Sequence, residues 1–481
     1  MFASSVDPDI APSGTLLGLL QRGRGDGTLH ALAASRSEAL AALRSCVLND
    51  PRRDWQLENR SLYYARLHRD LRADLAPIEA HLLDDEDPLA DPERCQTRTG
   101  LALSVLGHLT SYGDRRALTL LRRYATVGVN WQWALDELAV RDDDEGLRPL
   151  GPAVLARFPN TPEGDRELAT AARDAFEPRP WRLWAEDTAR PGQGQRLKRL
   201  DENRSFDRWQ RQLHSAGPRP GWSLREVLDW ADAPSTHGSQ ARESAAARLL
   251  VALATPGDRP RLRAVAGDPD AGGSRLAALR YLAEQADTHA LSLIEEAAAD
   301  PEPTVADTAV AAFARMRDAT ALEQARHWAS RTDALGTAAA RMLARHGTAE
   351  DGPTVLAALR WTLRVDGPHS DDLTALVDGA GRLGIDCAAP LLRHIYRETA
   401  SSLLRERAAR ALACTDPRFP SGFAIECLWD CEEATRELGA AHATTGDERV
   451  MERLRGLAVD PAEETGVQDA VRERLSPDGG R

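Results

Sequence analysis

Several residue groups in this sequence have types and spacings that could do chemistry. His68–Arg69–Asp70–Leu71 has the order of a phosphoryl-transfer catalytic loop, in which the Asp takes a hydroxyl proton and an Asn five residues later holds a metal ion. Position 75 is Leu, and no Asp-Phe-Gly or glycine-rich strand turn accompanies it, so the set is incomplete. Cys387, Cys414, Cys427 and Cys431, with His394 nearby, are soft ligands of the zinc-binding kind. They form no Cys-x2-Cys knuckle. Cys427 and Cys431 lie four apart in "FAIECLWDCEEATREL", in register with Ala424, Leu428 and Leu438. That spacing reads as small core side chains on a helix, and buried structural thiols are expected. Gly23, Gly25 and Gly27 in "RGRGDG", and Gly192 and Gly194 in "GQGQ", lack the preceding strand and the third spaced glycine that a phosphate loop needs. No P-loop, G-x-S-x-G elbow or H-E-x-x-H occurs. No catalytic, metal-binding or cofactor-binding residue is assigned, and no cofactor is expected.

What remains is polar and aromatic. "DPRRDWQLENRSLYYARL" (Asp50 to Leu67) packs a Trp, two Tyr and several Arg together. On a helix, Leu57, Tyr63, Tyr64, Leu67 and Leu71 fall on one arc, with Trp55 and Leu62 roughly opposite. Gln56 and Arg60 lie inside the first arc. A guanidinium there needs a partner, since an unpaired buried charge costs several kcal/mol. Glu79, on the following helix, is the nearest candidate by topology. The alternative is that Arg60 and Tyr63 line an open pocket. In "NWQWALDELAVRDDDEG", Trp131 shares a face with Ala134, Leu135 and Leu138, whereas Trp133 points elsewhere. Trp133 either packs on a neighbouring repeat or is an interface anchor beside the acidic run Asp142 to Glu145. From Pro178 to Arg225 there are eleven Arg/Lys against five Asp/Glu, and the same region holds Trp181, Trp184, Trp209 and Trp222. Trp and Arg dominate interface hot spots, and they also suit single-stranded nucleic acid. The competing reading is that these Trp fill a gap in regular packing.

The elements that must position these residues are repeated. "DPDAGGSRLAALRYLAEQADTHALSLIEEAAA" begins at Asp268, "DPEPTVADTAVAAFARMRDATALEQARHWAS" at Asp300, and "RTDALGTAAARMLARHGTAEDGPTVLAALRWTL" at Arg331. Each is a loop, an Ala/Leu-rich helix, a break and a second helix. In the clearest unit Asp300 is expected to cap the first helix, with Pro301 in its first turn. Val305, Ala309, Ala312, Phe313 and Met316 then share a face, and Asp318 opens the second helix. No unit can bury its stripes alone, so neighbours must stack.

The D-P-x3-V-x3-A-x2-A start and the acidic turn that follows resemble the HEAT-repeat α-solenoids in their short bacterial form. The resemblance covers about Ser239 to Leu475. "TGLALSVLGHLTSYGDRRALTLLRRYA" and "NWQWALDELAVRDDDEGLRPLGPAVLARF" have the same layout. It implies an all-α solenoid of HEAT-like helix pairs, as two arrays joined by an irregular Trp/Pro-rich stretch. Residues 1–37 are read as an extension with a capping helix, 38–159 as the N-terminal array, 160–238 as the connecting region, 239–475 as the C-terminal array and 476–481 as a disordered tail. HEAT-like deoxyhypusine hydroxylases bind iron through His-Glu dipeptides, and none of the twelve His here is followed by Glu. HEAT-like phycobilin lyases offer no residues to carry over. HEAT-like alkylpurine glycosylases bind DNA on a basic face, which an acidic chain does not favour.

The chain has 481 residues and a net charge of −13. Such a surface repels phosphate backbones, so nucleic acid is an unlikely partner. One Lys against sixty Arg, with few Ile and Asn, is the codon bias of a GC-rich genome, and predicts a high-GC bacterial source such as an actinobacterium. No apolar run is long enough for a membrane span, and "MFASSVDPDIAPSG" lacks the pattern of a signal peptide. Six Cys without framework spacing fit reduced thiols in the cytoplasm. The expected function is a non-catalytic protein-interaction scaffold or adaptor, with a basic partner favoured by charge. The alternatives are an enzyme or enzyme subunit with a pocket between the arrays, and nucleic-acid binding through the connecting region.

Overall fold

A computed structural model describes residues 10–51, 60–84, 92–202, 221–233 and 239–476. The described chain is all-α, with helices packed in neighbouring pairs as a solenoid requires. No helix among these residues is long and apolar enough to cross a membrane.

The clearest repeat shows how sequence becomes element. Its first helix is Pro303–Phe313, with Glu302 at the N-cap position and Pro303 in the first turn. The helix therefore starts later than the Asp300 cap predicts. Asp300 is drawn elsewhere: its carboxylate pairs with Arg275 at 2.8 Å and accepts the Glu302 N–H. The expected face holds, since Ala309, Ala312, Phe313 and Met316 are buried and Val305 is half-buried. Asp318 accepts the Ala321 N–H at 3.0 Å and opens the second helix, Ala319–Trp328. Trp328 packs edge-on against Phe313, with ring centroids 4.9 Å apart, and closes the pair.

Arginine ties one repeat to the next. Arg263 reaches Asp287 at 2.7 Å, Arg326 reaches Asp351 at 2.8 Å, and Arg393 reaches Asp416 at 2.6 Å. In each case the Arg sits on the second helix of one pair and the Asp just beyond the first helix of the next. The carboxylates are buried and the guanidiniums reach outward. Asp351 also accepts the Thr348 N–H, so it caps a turn while it binds the neighbouring repeat. The Arg326 hydrogen bond holds its carboxyl below the ordinary range.

The chain divides into two compact units. The first contains Met1–Ser215, Thr399–Ala409 and Arg418–Arg481, and the second Ala216–Glu398 and Arg410–Pro417. The expected C-terminal array, 239–475, is thus shared between them, and the last helices belong with the first ones. Buried ionic contacts explain this. Arg24 pairs with Glu426 at 2.9 Å, and Arg66 with Asp460 and Glu463 at 3.0 and 2.9 Å. Arg436 grips the same Glu463 through two nitrogens at 2.6 and 2.9 Å. The glycines of "RGRGDG" make the approach possible. Gly23 has φ +68° and its carbonyl accepts the Cys431 N–H at 2.9 Å, while a Cβ on Gly25 would lie 1.9 Å from the Glu426 carbonyl oxygen.

The connecting region also differs from expectation. Its described residues form the helices Pro162–Asp174, Arg179–Ala185, Pro191–Glu202 and Leu224–Asp232.

Candidate interaction surfaces

Arg60 begins the helix Arg60–Asp70 and is fully buried. Its guanidinium pairs with Asp50 at 2.5 Å. Asp50 replaces Glu79 as the partner: Glu79 is on the surface and pairs with Arg123 at 2.7 Å. Tyr63 lines no open pocket. It is buried, and its hydroxyl donates to the Arg24 carbonyl at 2.7 Å, as Tyr64 does to that of Leu20 at 2.9 Å. Burial pushes the Tyr63 phenol well above its ordinary range, so it stays neutral. Gln56 lies outside the described residues.

Trp133 packs on the neighbouring helix Pro92–Ser111, where its indole N–H donates to Ser104 Oγ at 2.9 Å. Ser104 donates in turn to Glu137, which pairs with Arg141 at 2.5 Å. Further along the same helix, His108 Nε2 stands 3.2 Å from Ser61 Oγ, the spacing of a base and a nucleophile. Burial, with Arg141 and Arg66 beside the ring, pushes this imidazole down to about 3. A base so weak takes a serine proton poorly at neutral pH. Among the described residues no carboxylate hydrogen-bonds the ring, so the pair lacks the third member that would orient it. It reads as a polar contact between helices.

Two of the connecting-region Trp are core. Trp181 and Trp184 are buried and stack edge-to-face at 5.2 Å, and Trp131 joins them against Phe158. The Trp184 indole N–H donates to the Leu147 carbonyl at 3.0 Å. As interaction candidates these two are corrected: short helices that break the repeat leave a gap, and large aromatics fill it. Trp222 is half-buried against Trp230, with centroids 5.9 Å apart, and Trp209 lies outside the described residues. Two arginines of this region are engaged within the protein. Arg179 pairs with Asp144 at 2.5 Å and donates to the carbonyls of Ala139 and Asp142, closing the end of the helix Trp131–Arg141. Arg196 pairs with Asp165 at 2.7 Å and donates to the carbonyls of Phe158 and Pro159. Cys427 and Cys431 are buried as expected, whereas Cys387 and Cys414 are exposed.

The sequence reading passed over an exposed tryptophan beside a groove. In the second unit the helix Gly352–Val365 buries Val355, Leu359 and Thr362. Its outer face carries Pro353, Ala357, Trp361 and Val365, all exposed and each four residues from the last. Trp361 is 48% exposed, against 2% for Trp184. Beside it opens a groove of about 230 Å³, walled by Ala340, Ala357, Ala358, Thr362 and Leu376 and rimmed by Arg331. Ligand pockets run to roughly 300–1,000 Å³, while a cavity of about 150 Å³ takes one benzene. The groove is sized for one bulky side chain. Glu295 pairs with Arg331 and also lines a shallow polar depression of about 420 Å³ with Ser292, Thr320 and Gln324. The legible signal was a second apolar stripe, at i, i+4, on a helix whose core stripe was already complete.

Among the described residues, fold and surface together define an all-helical, stacked-pair protein with an exposed apolar stripe beside a groove. No protein-family model matches the sequence. Over 168 residues the chain is 24% identical to translation initiation factor IF-2 of Syntrophomonas wolfei. The match covers 34% of this chain and 17% of that protein.

Proposed function

We propose that this protein is a non-catalytic scaffold or adaptor of HEAT type, acting in the cytoplasm, that binds a protein partner on its stacked-helix surface. The observation that carries the reading is Trp361. A half-exposed Trp on an apolar stripe, next to a groove sized for one side chain, is the anatomy of an interface hot spot. Free, exposed thiols at Cys387 and Cys414 suit a reduced compartment. The net charge of −13 favours partners that are basic on balance. Quantitative capture from the source organism tests it, with wild type and Trp361→Ala as baits. A partner held by the wild type should be depleted on the variant. Identical captured sets would sink the assignment to this surface.

A further inference from the structure

The helix that carries Trp361 also sets the sign of charge beside the groove. Gly352–Val365 contains Arg360 and Arg364 and no Asp or Glu. Both arginines are exposed, and neither makes a side-chain ion pair or hydrogen bond among the described residues. At 3.6 residues per turn, Ala358 and Thr362 fall about 60° and 100° to one side of Trp361, towards the groove. Arg364 and Arg360 fall about 60° and 100° to the other side. A chain segment that seats a side chain in the groove therefore crosses the indole and meets two unoccupied guanidiniums. Arg331, on the groove rim, is already taken by Glu295 and Asp333, each at 2.7 Å.

We propose that the segment docking here is acidic and amphipathic: one bulky apolar anchor seated in the groove, with carboxylates beyond Trp361 on Arg360 and Arg364. The inference rests on the docking reading above and adds the chemistry of the docked segment. The long-range field of the chain favours basic surfaces, but it is screened within about 10 Å at ordinary salt, so the two local guanidiniums decide the contact. Bidentate carboxylate pairing is the geometry a guanidinium prefers. Nucleic acid fits less well. The walls of Ala340, Ala357, Ala358 and Leu376 match an aliphatic or aromatic side chain, and two arginines give little of the phosphate neutralisation that nucleic-acid affinity needs.

A random dodecapeptide library displayed on phage and selected on the full-length chain tests this. Selected peptides are then titrated by fluorescence anisotropy against wild type, Trp361→Ala and the double variant Arg360→Glu/Arg364→Glu, and circular dichroism checks that both variants fold. Single-stranded DNA is titrated in parallel. The expected peptides carry a bulky apolar residue flanked by Asp or Glu. They should weaken roughly tenfold or more on Trp361→Ala and on the charge reversal, each tenfold being about 1.4 kcal/mol, and weaken with added salt on the wild type. Groove-dependent peptides with neutral or basic flanks, unaffected by the charge reversal, would overturn the acidic assignment and leave the docking reading standing. Peptides indifferent to Trp361→Ala would overturn both. DNA retained at moderate salt by the wild type and released by the charge reversal would assign the facet to nucleic acid instead.

Discussion

Glu463 shows how much one side chain can hold. It lies between Arg436 and Arg66 with its carboxylate fully buried. Burial alone would raise its pKa, but the Arg436 hydrogen bonds and the two positive charges overcome that and bring it to about 2. An unfolded Glu titrates at about 4.3. The folded state therefore binds this proton more weakly than the unfolded chain, and the linked stability is present above about pH 4.3 and lost as pH falls towards 2. The difference between about 2 folded and about 4.3 unfolded corresponds to about 3 kcal/mol. Wild type and Glu463→Gln, compared by urea unfolding from pH 7 down to pH 3, should differ most at neutral pH and converge in acid. A constant difference across the range would show that shape, and not charge, is what Glu463 supplies. Arg60 follows the same logic from the other side, a buried cation held by Asp50.

At the scale of elements, much of the array was legible and its stitching was not. The stripe Ala309, Ala312, Phe313, Met316 and the Asp318 cap follow from period and side-chain chemistry, which are local. The choice of Asp50 over Glu79, and the diversion of Asp300 to Arg275, depend on what the stack brings near, which is not local. The glycines of "RGRGDG" read as a loop because the backbone they admit is some 400 residues away in sequence: Arg24 and Glu426 are separated by 402. The arginine excess read as codon bias, yet a spacing was there to find. Arg263, Arg326 and Arg393 precede their aspartates by 24, 25 and 23 residues. This ladder should be measurable at Arg326 and Asp351. Arg326 is 46% exposed, so its pair is partly screened. A double-mutant cycle with Arg326→Ala and Asp351→Ala should give a favourable coupling above zero, with the larger single loss at Asp351, which also caps Thr348. Zero coupling would reduce the ladder to a surface decoration.

At the scale of the molecule, the first unit behaves differently from a string of repeats. In an open array each repeat touches only its neighbours, and trimming one end removes stability near that end. Here the helix Arg60–Asp70 supplies Arg66 and the turn that follows Pro92–Ser111 supplies Tyr112, and both reach Asp460 from the far end of the chain, at 3.0 and 3.1 Å. The loop at Gly23–Gly25 sits on the backbone of Glu426 and Cys431. Removing the residues after Pro417 would leave Arg24 without Glu426 and Arg66 without either carboxylate. The truncation would remove these ion pairs and uncover the helices they hold, against a domain stability of only about 5–15 kcal/mol. Truncation there should therefore strip hydrogen-exchange protection from Arg60–Asp70 and Pro92–Ser111, far away in sequence, with Ala334–His346 in the second unit as internal reference. If protection at Arg60–Asp70 survives the truncation, the N-terminal helices are self-sufficient and the ionic closure is a late addition to an array that stands without it.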